Sequence, residues 1–266
     1  MDSHRIEFVG SQGDMLAARL DMPRDRPRAY ALFAHCFTCS KDTAAASRIS
    51  RELSSRGIAV LRFDFTGLGH SEGEFANTNF SSNVRDVVGA ADWLRAEHEA
   101  PSLLVGHSLG GAAVLAAADG IPESRAVATI GSPADPAHVA HLLVDVRETI
   151  EQHGQAEVAI AGRRFMIRKQ FIDDLASHDL DERLAALRKS LLVMHAPGDS
   201  IVGIDNATRI FSAAKHPKSF VSLDDADHLL SRSEDARYVA ELLAAWSSRY
   251  LPSNGERSAA TNVLTA

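Results

Sequence analysis

Ser108 stands in Leu103-Leu104-Val105-Gly106-His107-Ser108-Leu109-Gly110-Gly111, where a short apolar run meets a glycine-flanked serine. The run reads as a buried strand. Ala112-Ala113-Val114-Leu115-Ala116-Ala117-Ala118 reads as a helix by intrinsic propensity. Strand, sharp turn and helix form the setting in which Gly-x-Ser-x-Gly makes a serine nucleophilic, with its hydroxyl raised above the sheet edge. A Cβ at Gly106 or Gly110 would collide where strand and helix approach closely. The helix N-terminus adds free N–H groups and a partial positive charge beside the hydroxyl. The pattern alone is weak, because a serine in a glycine-rich turn need do no chemistry. The rest of the chain must supply a base and an acid.

Both occur past predicted strand ends. Leu191-Leu192-Val193-Met194-His195 runs into Ala196-Pro197-Gly198-Asp199-Ser200, which places Asp199 just beyond a strand. The last predicted strand is followed by Asp224-Asp225-Ala226-Asp227-His228, which places His228 in the equivalent loop. In this arrangement His228 takes the Ser108 proton, and Asp199 fixes and stabilises the imidazole. The order serine, aspartate, histidine separates the chain from the chymotrypsin and subtilisin orders.

The elements that must position these residues follow from periodicity. Ile6–Val9 and Met15–Leu20 read as strands joined by a hairpin loop, and Ala29–Ala34 and Ile58–Phe63 as buried strands. Between the last two lies a helix, about Thr43–Arg56, closed by Gly57. Phe80–His98 has helical periodicity, and Arg125–Ile130 is another strand. From Pro133 to Leu187 the rhythm breaks. Helix-like pieces near Pro136–His153 and Arg168–Leu187 flank a short hairpin turning at Gly162-Arg163. This stretch, about 133–188, is expected to be a cap inserted in one domain spanning 1–251. A helix near Asp205–Ala214, the strand Ser219–Leu223 and a helix from Ser233 to Tyr250 complete the domain. The tail 252–266 is polar and expected to be disordered. Strands alternating with helices imply a mostly parallel sheet covered on both faces, with ligands at the carboxyl ends of the strands.

With these pieces in place, the sequence resembles the α/β-hydrolases over about residues 3–251. The resemblance rests on Ala34-His35-Cys36-Phe37, Arg62-Phe63-Asp64-Phe65-Thr66-Gly67-Leu68-Gly69-His70-Ser71, Gly106–Gly111, Gly198-Asp199 and Asp227-His228. It is most similar to the feruloyl/cinnamoyl-esterase-like branch. Within that branch it resembles the hydrolase half of bacterial proteins that continue into an OsmC-type peroxide-reducing domain. His35–Asp42 and Gly203–Phe211 carry this last likeness. The resemblance implies an α/β-hydrolase fold with a small cap, a serine esterase activity and an acyl-serine intermediate. It also implies an oxyanion hole made by the backbone N–H groups of Phe37 and Leu109. For Leu109 the physical reading agrees, since its N–H opens a helix beside the nucleophile. The family usually has His-Gly where this chain has His35-Cys36. Rival readings keep the same residues: a thioesterase, an acyltransferase, a perhydrolase, or a catalytically silent ligand-binding fold.

Other chemistry-bearing residues have structural readings. His35 is expected to brace its loop, and His107 to face structure. Asp64 should tie down the Gly67/Gly69 turn, and Asp225 and Asp227 should cap their own loop. Cys36-x-x-Cys39 lacks a second pair to complete a zinc site, leaving a redox pair as its sharper reading. His138-x-x-His141-x-x-x-Asp145 puts three ligand types on one helix face, but without a further histidine nearby it is a poor metal motif. No metal or cofactor is expected. In the cap, Phe165, Met166, Ile167 and Phe171 suit an acyl or aromatic group or simple packing. Arg163, Arg164, Arg168 and Lys169 suit acidic substrates or a solvated face.

Composition sets the class. The chain has 266 residues, 45% hydrophobic and 24% charged, which supports a folded α/β domain with a core. A net charge of −7 and the lack of a basic run argue against nucleic acid or an anionic membrane surface as partner. No signal-like start or bilayer-length apolar run is present, so a cytoplasmic protein is expected. The expected partner is a small-molecule ester. A homodimer is compatible with the chain, and association with an OsmC-type domain rests on resemblance alone.

Overall fold

The computed structural model describes residues 2–35, 40–160 and 163–251. Strands β1 (Asp2–Val9), β2 (Met15–Met22), β3 (Ala29–Ala34), β4 (Ile58–Phe63), β5 (Leu103–His107) and β6 (Ala126–Ile130) join one sheet. A separate hairpin, β7 (Gln155–Ile160) and β8 (Arg163–Arg168), precedes the last two strands of that sheet, β9 (Ser190–His195) and β10 (Lys218–Ser222). The sheet order is β1-β2-β4-β3-β5-β6-β9-β10. β2 runs antiparallel to both β1 and β4, and the pairings from β4 to β10 are parallel.

All residues of β3, β4, β5, β6 and β9 are buried. That is why these segments read as continuous apolar runs rather than alternating ones: both faces of a parallel sheet are covered. On one face, Ile49 and Leu53 of α1 (Ala44–Ser55) pack with Val60, Val105 and Ile130. Val239 and Leu243 of the C-terminal helix (Ser233–Ser247) join them. On the other face, α2 (Phe80–Glu97) and α3 (Leu109–Ala117) cover Leu32, Leu61, Leu104 and Val127. α3 is buried at every position, which explains its all-apolar sequence. Side-chain caps start α1 and α2. Thr43 Oγ1 accepts from Ala46 N, and Asn79 and Ser82 form a reciprocal capping box at α2.

Differences from the sequence reading have local causes. β1 starts at Asp2 rather than Ile6, because its backbone pairs with β2 along the full length although most of its side chains are exposed. The stretch Pro136–Val146 is 3-10 helix, and only α4 (Arg147–His153) is α-helical. The single helix expected near Arg168–Leu187 is two, α5 (Lys169–Ala176) and α6 (Leu180–Ala186). Asp179 starts the second by accepting from Asp181 N at 2.8 Å. Periodicity marks apolar faces and is blind to such a break in direction. The helix α7 (Asp205–Ala213) and the C-terminal helix, α8, complete the chain. The expected hairpin turn at Gly162-Arg163, the redox reading of Cys36 and Cys39 and the tail 252–266 lie outside the described residues, apart from the Arg163 backbone.

The segment between β6 and β9 leaves the sheet and returns over α2. Its hold on α2 is polar. Ser81 N donates to Asp174 Oδ2 and Ser81 Oγ donates to Asp174 Oδ1, both at 2.7 Å. His178 Nε2 lies 2.9 Å from the same hydroxyl, and its ring stands edge-on to Phe80 at 4.8 Å. Asp174 contacts the serine directly, so this group joins two elements and does not activate a nucleophile. Asp174→Ala removes the carboxylate from the first turn of α2 and should lower the unfolding free energy by about 1–2 kcal/mol. Urea denaturation of parent and variant measures this, and an unchanged midpoint would show that the contact does not hold the segment. Among the described residues no helix is long and apolar enough to cross a membrane.

Candidate active site

The three residues set apart by the sequence come from three strand ends and meet. Ser108 follows β5 and begins α3 with φ 55° and ψ −128°, a left-handed conformation that a serine adopts only when its surroundings enforce it. The enforcement is visible. Ser108 N donates to Ile130 O at 2.8 Å, and Gly111 N donates to Ser108 O at 2.8 Å. A Cβ on Gly106 would lie 2.3 Å from Gly110 O, and one on Gly110 would lie 2.4 Å from both Ala34 O and His35 O. Glycines at these two positions let α3 sit directly on β5 and β3, as expected from the sequence.

His228 Nε2 is 3.0 Å from Ser108 Oγ, and His228 Nδ1 is 2.7 Å from Asp199 Oδ2. Nδ1–H donates to the carboxylate, which leaves Nε2 free to accept the serine proton. The other carboxylate oxygen, Asp199 Oδ1, accepts from Ile201 N and Val202 N, each at 2.9 Å. Burial works against the charge of Asp199. The hydrogen bonds from His228, Val202 and Ile201 outweigh it and hold the carboxyl below its usual range. The arrangement can pass a proton from a hydroxyl to an imidazole nitrogen whose ring is held on its other side by a carboxylate.

The remaining candidates separate. Leu109 N is at the first position of α3, where helix geometry leaves the N–H without an intrahelical acceptor. Phe37 and Cys36 lie outside the described residues. His35 is buried against Asp64, with Nε2 3.5 Å from Oδ1, and stands edge-on to Phe65 at 5.3 Å. Asp64 ties the Gly67/Gly69 turn through His70 N, at 2.9 Å, as expected. It also accepts from Lys41 N at 2.6 Å and Lys41 Nζ at 2.7 Å. Asp227 caps its loop by accepting from Ser231 N and Oγ. Among the described residues no cluster of three metal-ligating side chains occurs, and His138 Nε2 is 3.4 Å from Ile201 O. The His141 side chain lies outside the described ones.

Phe165, Ile167 and Phe171 are buried, with the Phe75 ring 5.2 Å from that of Phe165, so these three act in packing. Met166 is exposed. Arg164 pairs with Glu157, Lys169 with Asp173, and Arg168 with Asn77, so the described part of the basic stretch is a locally partnered face.

Three further residues border the site, of which the sequence reading singles out only His107. His195, at the end of β9, donates from Nε2 to Val202 O at 2.7 Å and so closes the loop that bonds Asp199. Gly131 has φ 53°, and a Cβ there would lie 3.3 Å from both Asp199 Oδ2 and His228 Nδ1. His107, read as merely structural, places Nε2 2.7 Å from His228 O. Each lies at a strand end, which is the one signal that could have singled them out.

A sequence model of the Alpha/beta hydrolase family matches residues 31–242. The crystal structure of an esterase domain from a Rhodothermus marinus protein is 52% identical, with a TM-score of 0.78, covering 94% of this chain and 99% of that one. Ferulic-acid-bound Est1E from Butyrivibrio proteoclasticus is 19% identical, with a TM-score of 0.78 over 92% of this chain and 98% of its own, a likeness of fold. The mitochondrial palmitoyl-protein thioesterase of Rattus norvegicus is 28% identical over 198 residues, 71% of this chain and 65% of the relative. The chain thus spans just under two thirds of that relative's length.

Proposed function

The chain belongs to the alpha/beta hydrolase family and has its fold, and from that premise we propose that it is a serine hydrolase acting on carboxylic esters. The observation that carries this reading is the continuous hydrogen-bond path Ser108–His228–Asp199, 3.0 Å and 2.7 Å long in its two links. The likeness to the 52% identical esterase domain supports it.

In this mechanism Ser108 Oγ attacks the ester carbonyl carbon while its proton passes to His228 Nε2. Asp199 holds the imidazole in the Nδ1–H tautomer and stabilises the imidazolium. The N–H of Leu109, with that of Phe37 as the family resemblance implies, receives the charge on the carbonyl oxygen. The alcohol leaves with the proton from His228, giving an acyl-serine. Water, deprotonated by the same imidazole, then attacks the acyl carbon. The acid departs, and Ser108 regains its proton.

A fluorophosphonate probe should form a covalent adduct with the folded protein, mapped to Ser108 by peptide mass spectrometry. No adduct would favour a ligand-binding fold without catalysis. A thioesterase is the second reading, favoured by the name of the rat relative. Oxygen esters and thioesters of one acyl group, compared by kcat/KM, separate the two, and the ester reading requires the oxygen ester to be preferred.

A further inference from the structure

His107 is the last residue of β5, and its main chain continues directly into Ser108. Its side chain is buried and reaches across to the loop of the base, with Nε2 2.7 Å from the backbone oxygen of His228. A carbonyl oxygen only accepts, so Nε2 carries the proton in this bond. The two imidazole rings lie 5.3 Å apart and are tilted by 36°.

The loop is held by Ala226 and Leu230, which are buried in the core, and by the His228 side chain on Asp199, so the further question is what holds its backbone. Leu223 N donates to His195 O and ties the loop's start to β9. Beyond that point its backbone bonds are short-range: Ala226 N to Leu223 O, Leu230 N to Asp227 O, Ser231 N to the Asp227 side chain, and Arg232 to Asp225 O. Among the described residues, the His107 bond is the one that joins the backbone of residues 224–231 to another part of the molecule. It does so at the residue that must meet Ser108. The proton donor and the proton acceptor of the reaction are therefore linked through a single side chain that touches neither reacting atom.

We propose that His107 is a positioning residue of this hydrolase: its Nε2–H holds the His228 carbonyl and thereby sets the approach of the base to Ser108. This rests on the serine-hydrolase reading above. Errors of about 1 Å in such an approach cost rates on the order of 10²-fold. Burial, and next the neighbouring His228, push the His107 pKa down to about 4. The ring is thus neutral near neutral pH, and charge arising on His228 during acylation disfavours a second proton on it.

The test compares His107→Gln, whose amide can donate from about the same place, with His107→Met, which has the same length and no donor. Both are assayed as full chains on p-nitrophenyl acetate, with Ser108→Ala as control. His107→Met should lose about 10–100-fold in kcat with KM changed less than about 3-fold, and His107→Gln should stay within about 5-fold of the parent. In a His228→Ala background, His107→Met should cost less than about 2-fold more, because the residue acts through His228. Equal losses in the two variants, a kcat for His107→Met near the parent value, or a full loss persisting without His228 would overturn the proposal. If neither variant folds, imidazole ¹⁵N NMR of the parent decides. The neutral Nε2–H tautomer should persist down to about pH 5, and an Nδ1–H tautomer overturns the assignment. Parent turnover that Ser108→Ala leaves intact sinks the hydrolase reading and this proposal together. Turnover that needs Ser108 but ignores His107 sinks this proposal alone.

Discussion

Ser108→Ala is expected to lower kcat on p-nitrophenyl acetate by about 10⁴-fold or more. In the proposed mechanism the hydroxyl forms the acyl intermediate, and among the described residues it is the side chain hydrogen-bonded to His228 Nε2. A double variant, Ser108→Ala with His228→Ala, should be no slower than the serine variant alone within about 3-fold, because nucleophile and base act as a unit. The strained backbone at Ser108 accepts alanine as readily as serine, so the fold should survive, and circular dichroism checks this. Hydrolysis by the purified serine variant at the parent rate would mean that the nucleophile lies elsewhere.

The second large effect is on stability. Asp64 is completely buried, yet its carboxyl is held well below the usual range. Burial opposes the charge, and hydrogen bonds from His35, the Lys41 ammonium, Lys41 N and His70 N overcome it. Asp64→Ala takes the shortest partner from the buried Lys41 ammonium, leaving His70 Nδ1 at 3.3 Å and Asp42 Oδ2 at 3.4 Å. Removing one member of a buried pair typically costs about 3–5 kcal/mol. Guanidinium denaturation should show a loss of that size, and a loss under about 1 kcal/mol would mean that Lys41 finds water or Asp42 instead. The pH dependence has a definite sign. A depressed carboxyl contributes stability that is present above about pH 4, its unfolded value, and is lost as pH falls through the lower folded value. His107 acts in a higher window. It is neutral in the fold down to about pH 4, while the unfolded chain protonates it near pH 6.5. Its burial therefore removes stability progressively as pH falls from about 6.5 to 4, and Asp64 adds to the loss only below that. Acid titration of the unfolding free energy should show the earlier decline in the Asp64 variant as well.

Much of the fold was legible because buried parallel strands and amphipathic helices write their environment into residue type. Ala29–Ala34, Ile58–Phe63 and Leu103–Val105 read as strands, and they are the centre of the sheet. What failed was local direction. The β6–β9 segment changes from 3-10 to α-helix and breaks at Asp179 without changing its apolar spacing. Strand pairing of the exposed β1 was understated, because a backbone ladder asks little of side chains that face water.

Within the site, residue type alone marks out Ser108, Asp199 and His228 in their chain order, and the glycines that let α3 close on β5. Those depend on steric space and on which side chains can move a proton, and both are properties of residue type. Only the folded chain brings the three together at 3.0 Å and 2.7 Å, sets His195 and Gly131 beside Asp199, and puts His107 Nε2 2.7 Å from the His228 carbonyl. His107 and His228 are 121 residues apart, and a bond from a side chain to a backbone carbonyl leaves no mark on the residue that accepts it.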